Sequence, residues 1–161
     1  MNNIGKSADK ISEWLGGIID GEGSIYIEKT LRKHGTIKLQ PQIKIGNMDT
    51  LIINQIVSEI NKATGCYIQT KRIKNGNMYY VSIKGYKRCK ELIPHLIAVL
   101  KGVKKYKAIE MQKWFEYREA RNFNDPVTDI DLEFYNKING NYLRDYMLIS
   151  PNNGDEDIVR T

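Results

Sequence analysis

The chain has 161 residues, of which 41% are hydrophobic, and a formal net charge of +6. This length predicts a single folded domain, and this composition excludes a wholly disordered chain. No stretch approaches the roughly 20 uncharged apolar residues of a membrane-spanning helix, and the N-terminus lacks the apolar segment of a secretory signal. Cys66 and Cys89 match no metal-binding or redox spacing, which predicts free thiols in a reducing, intracellular setting.

The charges are segregated along the chain. Residues 28–107 contain 17 Lys or Arg against 4 Asp or Glu, whereas residues 125–161 contain 3 against 8. A concentrated positive field of this kind favours a polyanionic partner such as nucleic acid. Charge alone leaves open the alternative of a solvated basic surface on an ordinary soluble protein.

The first part of the chain predicts a helix, a β-hairpin and a second helix. Apolar residues at helical spacing predict helices over 11–20 and 49–63. Between them, alternating apolar and polar residues predict strands over 24–33 and 36–46. Pro41 interrupts the second strand, which predicts a bulge or a position near the edge of the sheet.

The second part repeats the hairpin and ends in helices. The run Asn75-Gly76-Asn77 is a strong turn signal, because Asn and Gly tolerate the positive φ that tight hairpins require. The predicted elements are strands over 66–74 and 78–84 and helices over 86–100, 104–121 and 129–139. Residues 1–149 form the predicted domain, and residues 150–161 form a predicted disordered acidic tail.

These elements predict an α+β fold of order αββαββα with extra C-terminal helices. Each hairpin has one apolar face for the helices to cover and one polar or basic face. The polar faces would form a curved, antiparallel, four-stranded sheet that is free to bind DNA. A strand of about nine residues spans roughly 30 Å, which is close to one turn of B-DNA, so alternate side chains would reach base edges in the major groove.

The stretch from Leu15 to Ser24 reads LGGIIDGEGS, and it resembles the LAGLIDADG motif of homing endonucleases. Its paired glycines, Gly16 and Gly17, leave a helix surface without side chains, so a second helix can approach closely. The acidic eighth position, Glu22, is presented at the end of the helix. Gly replaces Ala at the second motif position and Glu replaces Asp at the eighth, so the acidic chemistry is retained. An isolated Asp-Gly-Glu-Gly would more simply be a helix C-cap followed by a surface carboxylate.

The resemblance implies a homodimer, because members with a single motif pair through their motif helices. The residues expected at that interface are Trp14, Leu15, Gly16, Gly17 and Ile19. Two copies of Glu22 would then face each other, and such carboxylates repel unless cations lie between them. The resemblance therefore implies that Glu22, with the backbone carbonyl of Gly21, binds Mg²⁺ or Mn²⁺. Asp20 is expected to be structural or to support the metal ligands indirectly.

Two further catalytic positions are carried over from the resemblance. Similar proteins have a Gln or Asn at the end of the second strand that orders the nucleophilic water, and Asn47 occupies this place. A role for Asn47 as a helix cap is an equal alternative. Similar proteins also have a Lys near the scissile phosphate, and Lys104 matches best, with Lys101 and Lys105 as competitors.

The polar positions of the strands are the predicted DNA contacts, because Gln, Lys and Arg hydrogen-bond base edges and the cations neutralise phosphates. These residues are Tyr26, Glu28, Thr30, Arg32, Lys38, Gln40, Gln42, Lys44, Gln69, Lys71, Met78 and Tyr80. A merely solvated sheet face is the alternative.

The sequence thus predicts a site-specific, metal-dependent endonuclease that acts on double-stranded DNA as a homodimer, on a long, roughly palindromic site. The resemblance implies an intron-homing role in a DNA-containing compartment of the cell. One alternative is a non-cleaving binder on the same fold, either an intron maturase with RNA as a partner or a transcriptional regulator. Another is a basic structural protein in which the Gly-rich motif is an accidental cap.

Overall fold

The computed structural model describes residues 10–65, 70–72, 76–122 and 125–140. The elements in chain order are α1 (Glu13–Glu22), β1 (Gly23–Leu31), β2 (Ile37–Asn47), α2 (Thr50–Thr64), β3 (Thr70–Arg72), β4 (Tyr79–Lys84), α3 (Tyr86–Val99), α4 (Val103–Glu119) and α5 (Asp129–Asn139). The predicted α+β order is confirmed. The predictions for residues 66–69, for residues 73–75 and for the 150–161 tail fall outside the described residues. Within the described residues, no helix is long and apolar enough to cross a bilayer.

The four strands form one antiparallel sheet in the order β1-β2-β4-β3. Pro41 lies opposite Ile27 in a continuous β1–β2 register, so the predicted bulge is wrong. The proline is tolerated because β4 ends at Lys84, which lies opposite Gln42. No strand residue therefore lies opposite Pro41 on this side to require the N–H that proline lacks. Its carbonyl accepts a hydrogen bond of 3.1 Å from the N–H of Gly85. Pro41 therefore marks the point at which the central strand β2 becomes an edge on its β4 side.

The helices cover one face of the sheet, and the core lies between the two layers. The strand residues that face this core are Ile25, Ile27, Ile43, Ile45, Val81 and Ile83, all of them buried. Because successive strand residues alternate between faces, their neighbours in sequence project to the opposite, uncovered face.

Cys89 lies in this core, and burial raises the pKa of its thiol to about 12. Cys89 is free, as predicted, whereas Cys66 lies outside the described residues.

Helix α1 begins two residues later and ends two residues later than predicted. Ser12 is its N-cap and accepts a hydrogen bond of 3.2 Å from the N–H of Leu15. At the other end, the N–H of Gly23 bonds to the carbonyl of Ile19. Glu22 is therefore the last helical residue, rather than a loop residue beyond the helix end.

Helix α2 is capped at both ends. The carboxylate of Asp49 accepts a hydrogen bond of 2.8 Å from the N–H of Leu51, and Gly65 ends the helix with a left-handed φ of 66°. Helix α3 runs without a break through the exposed Pro94.

Helices α4 and α5 are joined by a buried carboxylate. Asp131 is fully buried and accepts hydrogen bonds from the Trp114 indole at 2.9 Å and from Arg118 at 3.2 Å. It also forms a capping box with Thr128 at the start of α5. The last residue of α5, Asn139, bonds to both the N–H and the carbonyl of Ile27, at 2.7 and 2.6 Å. Helix α5 is thereby fastened to the outer edge of β1.

Candidate functional site

The acidic end of α1 lies beside the end of β2. The carboxylate of Glu22 accepts a hydrogen bond of 3.1 Å from the side-chain amide of Asn47. The amide oxygen of Asn47 in turn accepts a bond of 2.8 Å from the N–H of Asp49. Asn47 is therefore held from the α2 side while its NH₂ group points at Glu22. The N-cap of α2 is Asp49, so the alternative role of Asn47 as a helix cap is wrong.

A second set of contacts fixes the same helix end to the α3–α4 connection. The carboxylate of Asp20 accepts hydrogen bonds from the N–H groups of Lys101 and Gly102, at 2.9 and 3.1 Å. The ammonium of Lys104 donates to the backbone carbonyl of Asp20 at 2.7 Å. A cation at this carbonyl is favourable because the last turn of a helix carries partial negative charge. Asp20 is thus positioned for the structural role expected of it.

The competing lysines are not placed in this way. The ammonium of Lys101 pairs instead with Glu13 at 3.2 Å, and both side chains are more than two-thirds exposed. The backbone N–H of Lys105 bonds to the carbonyl of Gly102, and its side chain does not line the cleft described below. Lys104 is therefore the lysine of this run whose ammonium contacts the acidic end of the motif helix, whereas Lys101 pairs with the opposite end.

The face of the sheet that no helix covers carries most of the predicted DNA contacts, and we call it the groove face. Strand register places Tyr26 opposite Gln42, Glu28 opposite Gln40, Thr30 opposite Lys38, Gly46 opposite Tyr80, and Tyr80 opposite Lys71. Arg32 lies one residue beyond the end of β1, and Gln69 is outside the described residues. Lys84 also belongs to this face, since it lies opposite Gln42. The sequence analysis missed it, although it lies four residues after Tyr80 and so has the same strand parity.

Three predicted contact residues are linked to one another on the groove face. The hydroxyl of Tyr26 donates to the amide oxygen of Gln42 at 2.7 Å, and the amide nitrogen of Gln42 donates to Glu28. Gln42 is only 2% exposed. Burial, and then the charge of Glu28, raise the pKa of Tyr26. Gln42 is therefore an internal support for its neighbours rather than a freely accessible side chain, which corrects its predicted role as a direct base contact.

The other end of the groove face is apolar and aromatic. A Cβ added at Gly46 would lie 2.8 Å from the Tyr80 ring and 3.1 Å from the terminal methyl of Met78. Both side chains therefore pack directly over the glycine. The ammonium of Lys44 lies 4.2 Å from the centre of the same ring, within cation–π range.

A basic cleft of about 550 Å³ opens beside the start of β1, and we call it the lysine cleft. Its lining residues are Gly23, Ser24, Ile25, Tyr26, Lys44, Lys104, Lys107 and Asn139. Burial lowers the pKa of Lys107. Burial also lowers the pKa of Lys104, and the nearby positive charge of Lys107 lowers it further. The sequence analysis did not single out Lys107. Its spacing could have indicated it, because a residue three positions after Lys104 lies on the same side of α4.

The exposed side of α1 differs from the predicted dimer interface. Leu15 and Ile19 are fully buried in the core of their own chain. A Cβ added at Gly16 would lie 2.8 Å from the carbonyl of Val99, so the close helix approach at this glycine is to α3. Leu15, Gly16 and Ile19 are accordingly corrected to intrachain positions, because their surfaces are already covered.

The accessible part of the motif helix is a single stripe. Trp14 is 40% exposed, Gly17 and Gly21 are exposed, and Ile18 is partly exposed between them. Nothing lies within 4 Å of a Cβ added at Gly17. Of the predicted interface residues, Trp14 and Gly17 therefore remain candidates for contact with another copy, and Ile18 joins them.

The acidic end of α1 has donors suited to a hard divalent cation but not a complete ligand set. Among the described residues, no three His, Cys, Asp or Glu side chains converge on one point. Glu22 is exposed, and Gly21 lies in the last helical turn, where carbonyls lack helical N–H partners. Mg²⁺ characteristically binds one or two carboxylates together with waters and substrate phosphates. The residues therefore suit a cation shared with phosphate rather than one enclosed by this chain.

The family of the chain follows from a direct match over this region. The family model described as LAGLIDADG endonuclease matches residues 15–116, which include most of α1, the whole sheet and most of α4. The chain belongs to the LAGLIDADG endonuclease family. The match begins at Leu15, so the motif helix and the groove face lie within the family's shared region. No curated protein matches the chain.

Solved homing endonucleases share the fold. The homing endonuclease I-CvuI, in complex with its target in the presence of Ca, is 19% identical with a TM-score of 0.61, and the match covers 78% of each chain. I-TnaI is 18% identical with a TM-score of 0.62, and the match covers 87% of this chain and 98% of that one. The meganuclease I-SmaMI, bound to uncleavable DNA, is 16% identical with a TM-score of 0.63, and the match covers 80% of this chain but 43% of I-SmaMI.

Proposed function

We propose that the chain is a site-specific, metal-dependent endonuclease that cuts double-stranded DNA as a homodimer. The observation that carries this proposal is the position of Glu22. Its carboxylate ends the motif helix and is held by Asn47 at the border of the basic groove face. The substrate that suits such a site is DNA. A duplex bound to the groove face would bring its backbone phosphates next to Glu22.

Charge on the groove face supports DNA as the partner. Lys38, Lys44 and Lys84 lie on this face, with Glu28 as its acidic member among the described strand residues. Such cations neutralise phosphates and give the salt-dependent part of the affinity, while Gln40 and Glu28 supply hydrogen bonds for base edges. The structures of I-CvuI and I-SmaMI were determined with DNA, which agrees with this partner class.

The homodimer is proposed because one chain has one acidic motif and half of a binding surface. The chain matches less than half of I-SmaMI, but almost all of I-TnaI. The stripe of Trp14, Gly17 and Ile18 on α1 offers a surface through which two copies would bring their Glu22 residues together. A two-fold dimer would bind a roughly palindromic site of about two helical turns, since each copy would cover about one turn of DNA.

In the proposed mechanism, Glu22 and the Gly21 carbonyl would hold Mg²⁺ or Mn²⁺. The cation would supply Lewis-acid stabilisation of the phosphate and an activated water. Asn47 orients the Glu22 carboxylate and is close enough to align that water. Lys104, which is held against the Asp20 carbonyl, provides a fixed positive charge near the phosphate. The biological setting would be intron homing in a DNA-containing compartment.

The test is cleavage of a randomised duplex library by the wild type and by Glu22→Gln, each with Mg²⁺ and with Ca²⁺. The matched control is Glu13→Gln, which removes an exposed carboxylate from the opposite end of the same helix. We expect discrete double-strand cuts by the wild type and the control in Mg²⁺. Glu22→Gln should bind the same duplexes without cutting them.

Other outcomes would reject the proposal in distinct ways. Selective DNA binding by the wild type without cutting in Mg²⁺ or Mn²⁺ would indicate a regulator on this fold, and selective binding of intron RNA would indicate a maturase. A wild type that sediments as a monomer when bound to its duplex would reject the homodimer alone. Cutting by Glu22→Gln at the wild-type rate would reject Glu22 as the metal ligand.

A further inference from the structure

The lysine cleft contains a cation that the catalytic scheme leaves unused. Lys104 has a partner in the carbonyl of Asp20. In contrast, the part of the chain that the structure describes offers Lys107 no hydrogen bond and no ion pair. Its side chain is nevertheless partly buried, and that burial lowers its pKa. An unpaired cation removed from water is costly unless an anion approaches it.

The lining of the cleft is suited to phosphate. Lys44, Lys104 and Lys107 contribute three ammonium groups, while the described lining contains no carboxylate side chain. The hydroxyl of Ser24 and the amide of Asn139 add neutral polar groups. Lysine ammonium groups are compact point charges, and they bind phosphate oxygens without the fixed planar geometry that an arginine requires. The shared preference of these groups is therefore for a phosphate, and not for a cationic or apolar ligand.

The position of the cleft indicates that this phosphate belongs to DNA. Tyr26 and Lys44 belong both to the cleft and to the groove face, so the two surfaces are continuous. Gly23, which lines the cleft, directly follows Glu22 in the chain. A duplex lying on the groove face and passing Glu22 would therefore carry its backbone across the mouth of the cleft.

We propose that the lysine cleft binds a backbone phosphate next to the one that is cleaved, and that Lys107 is the residue that binds it. This inference rests on the proposed function, because it requires DNA on the groove face. Lys107 acts in binding, whereas Glu22 and Asn47 act at the cleaved bond. The charge that the described residues leave unpaired would then find its partner in the DNA.

The test compares Lys107→Gln and Lys107→Arg with the wild type on a duplex that the wild type has selected from a randomised library, in Ca²⁺. Lys62→Gln is the matched control, because it removes an exposed lysine on α2, far along the chain from the cleft. We expect Lys107→Gln to bind on the order of tenfold more weakly for each of the two copies in the homodimer, as for a lost charge-assisted hydrogen bond. Its plot of log affinity against log salt should lose about 1.8 of slope, which is about 0.9 for each of the two phosphates that the two copies would bind. Lys107→Arg and Lys62→Gln should keep the wild-type slope.

A second measurement separates a phosphate contact from a structural role. Duplexes carrying neutral methylphosphonates at two symmetry-related backbone positions, moved in turn along the site, should include one pair of positions, near the cut, at which wild type and Lys107→Gln bind equally. The melting temperature of Lys107→Gln should not fall, since the wild-type side chain has no hydrogen-bond or ion-pair partner among the described residues to lose. Equal effects at every methylphosphonate, or an unchanged salt slope, would overturn this inference while leaving the proposed function intact.

Two further outcomes are also decisive. Weaker binding of structured RNA by Lys107→Gln, with duplex binding unchanged, would assign the cleft to RNA and overturn the inference. A wild type that selects no duplex would overturn the proposed function and this inference together.

Discussion

The side-chain amide of Asn47 donates a 3.1 Å hydrogen bond to the carboxylate of Glu22, although the two residues are 25 positions apart in the chain. One belongs to the end of β2 and the other to the end of α1. Their contact therefore depends on how the motif helix packs on the sheet. The bond also leaves part of the Glu22 carboxylate open, because Asn47 donates to only one of its two oxygens.

Asn47→Ala should slow cleavage without preventing DNA binding. Removal of groups that orient a metal ligand typically costs 10–100-fold in activity, so we expect a rate loss of about that size. The N–H of Asp49 also loses its acceptor, which should cost about 1 kcal/mol or less of stability at this solvent-accessible site. Single-turnover cleavage in Mg²⁺ and binding in Ca²⁺ measure the two effects. Asn54→Ala, at an exposed position of α2, is the control, and an unchanged rate in Asn47→Ala would remove the positioning role.

The two motif glycines should respond to alanine in opposite ways. At Gly16 a Cβ would lie 2.8 Å from the carbonyl of Val99, so Gly16→Ala should lower the free energy of unfolding by about 1–3 kcal/mol through overpacking. At Gly17 the Cβ would meet nothing, and Ala would favour the helix by about 1 kcal/mol. Urea denaturation measures both changes.

Gly17→Ala also tests the proposed dimer. If the exposed stripe of α1 packs against a second copy, the added methyl should weaken self-association even as it stabilises the helix. Sedimentation over a range of protein concentrations measures this directly. A Gly17→Ala variant that dimerises as tightly as the wild type would move the interface away from this stripe.

Glu28→Gln should change which bases the protein selects. An ionised carboxylate only accepts hydrogen bonds, and on a base edge in the major groove it suits the amino group of cytosine. Gln42 donates to one oxygen of Glu28 and so holds the carboxylate in place. We expect one cytosine preference in each half-site, worth about 1–3 kcal/mol, to be lost in the variant. Parallel selections with wild type and with Glu133→Gln, at an exposed site on α5, provide the comparison; an identical consensus would exclude a base contact by Glu28.

Asp131 should make stability fall on acidification. Burial alone raises the pKa of this carboxyl, but bonds from the Thr128 backbone, the Trp114 indole and the Thr128 hydroxyl, with the charge of Arg118, lower it below its ordinary value of 3.8. The ionised form therefore stabilises the fold above that value, and this stabilisation is lost as the pH falls through the lowered pKa. Asp131→Asn should cost about 3 kcal/mol near neutral pH, because Arg118 loses a buried partner.

Urea midpoints at several pH values check this prediction. The difference between wild type and Asp131→Asn should be constant above the ordinary pKa of an Asp and shrink below it. The exposed Asp129, in the same first turn of α5, supplies the control variant Asp129→Asn. A gap between Asp131→Asn and wild type that persists at the lowest pH would show that packing, rather than ionisation, carries the effect.

Local chemistry explains which parts of the fold the sequence could predict. The bounds of α5 were predicted correctly, because the helical spacing of apolar residues acts on its own segment. The alternation of β1 and β2 likewise assigned the two faces of the sheet correctly.

The remaining features depend on what each residue meets across the fold. The glycines of the motif look alike in sequence, yet Gly16 contacts α3 and Gly17 faces open space. Gln42 looks like an accessible polar residue until Tyr26 and Glu28 enclose it. In the same way, a run of lysines does not reveal that Lys104 has a carbonyl partner, whereas the described residues offer Lys107 none.

The fastening of Asn139 to Ile27 restricts how copies of this protein can assemble. A side-chain amide that bonds to both the N–H and the carbonyl of one strand residue occupies the groups that an added strand would use. The outer edge of β1 is thus closed at its middle to growth of the sheet by another molecule. Two copies cannot join through a continuous sheet on this side without first detaching α5. On this side the groove face therefore ends at β1, and a second copy would have to join through another surface, such as the exposed stripe of α1.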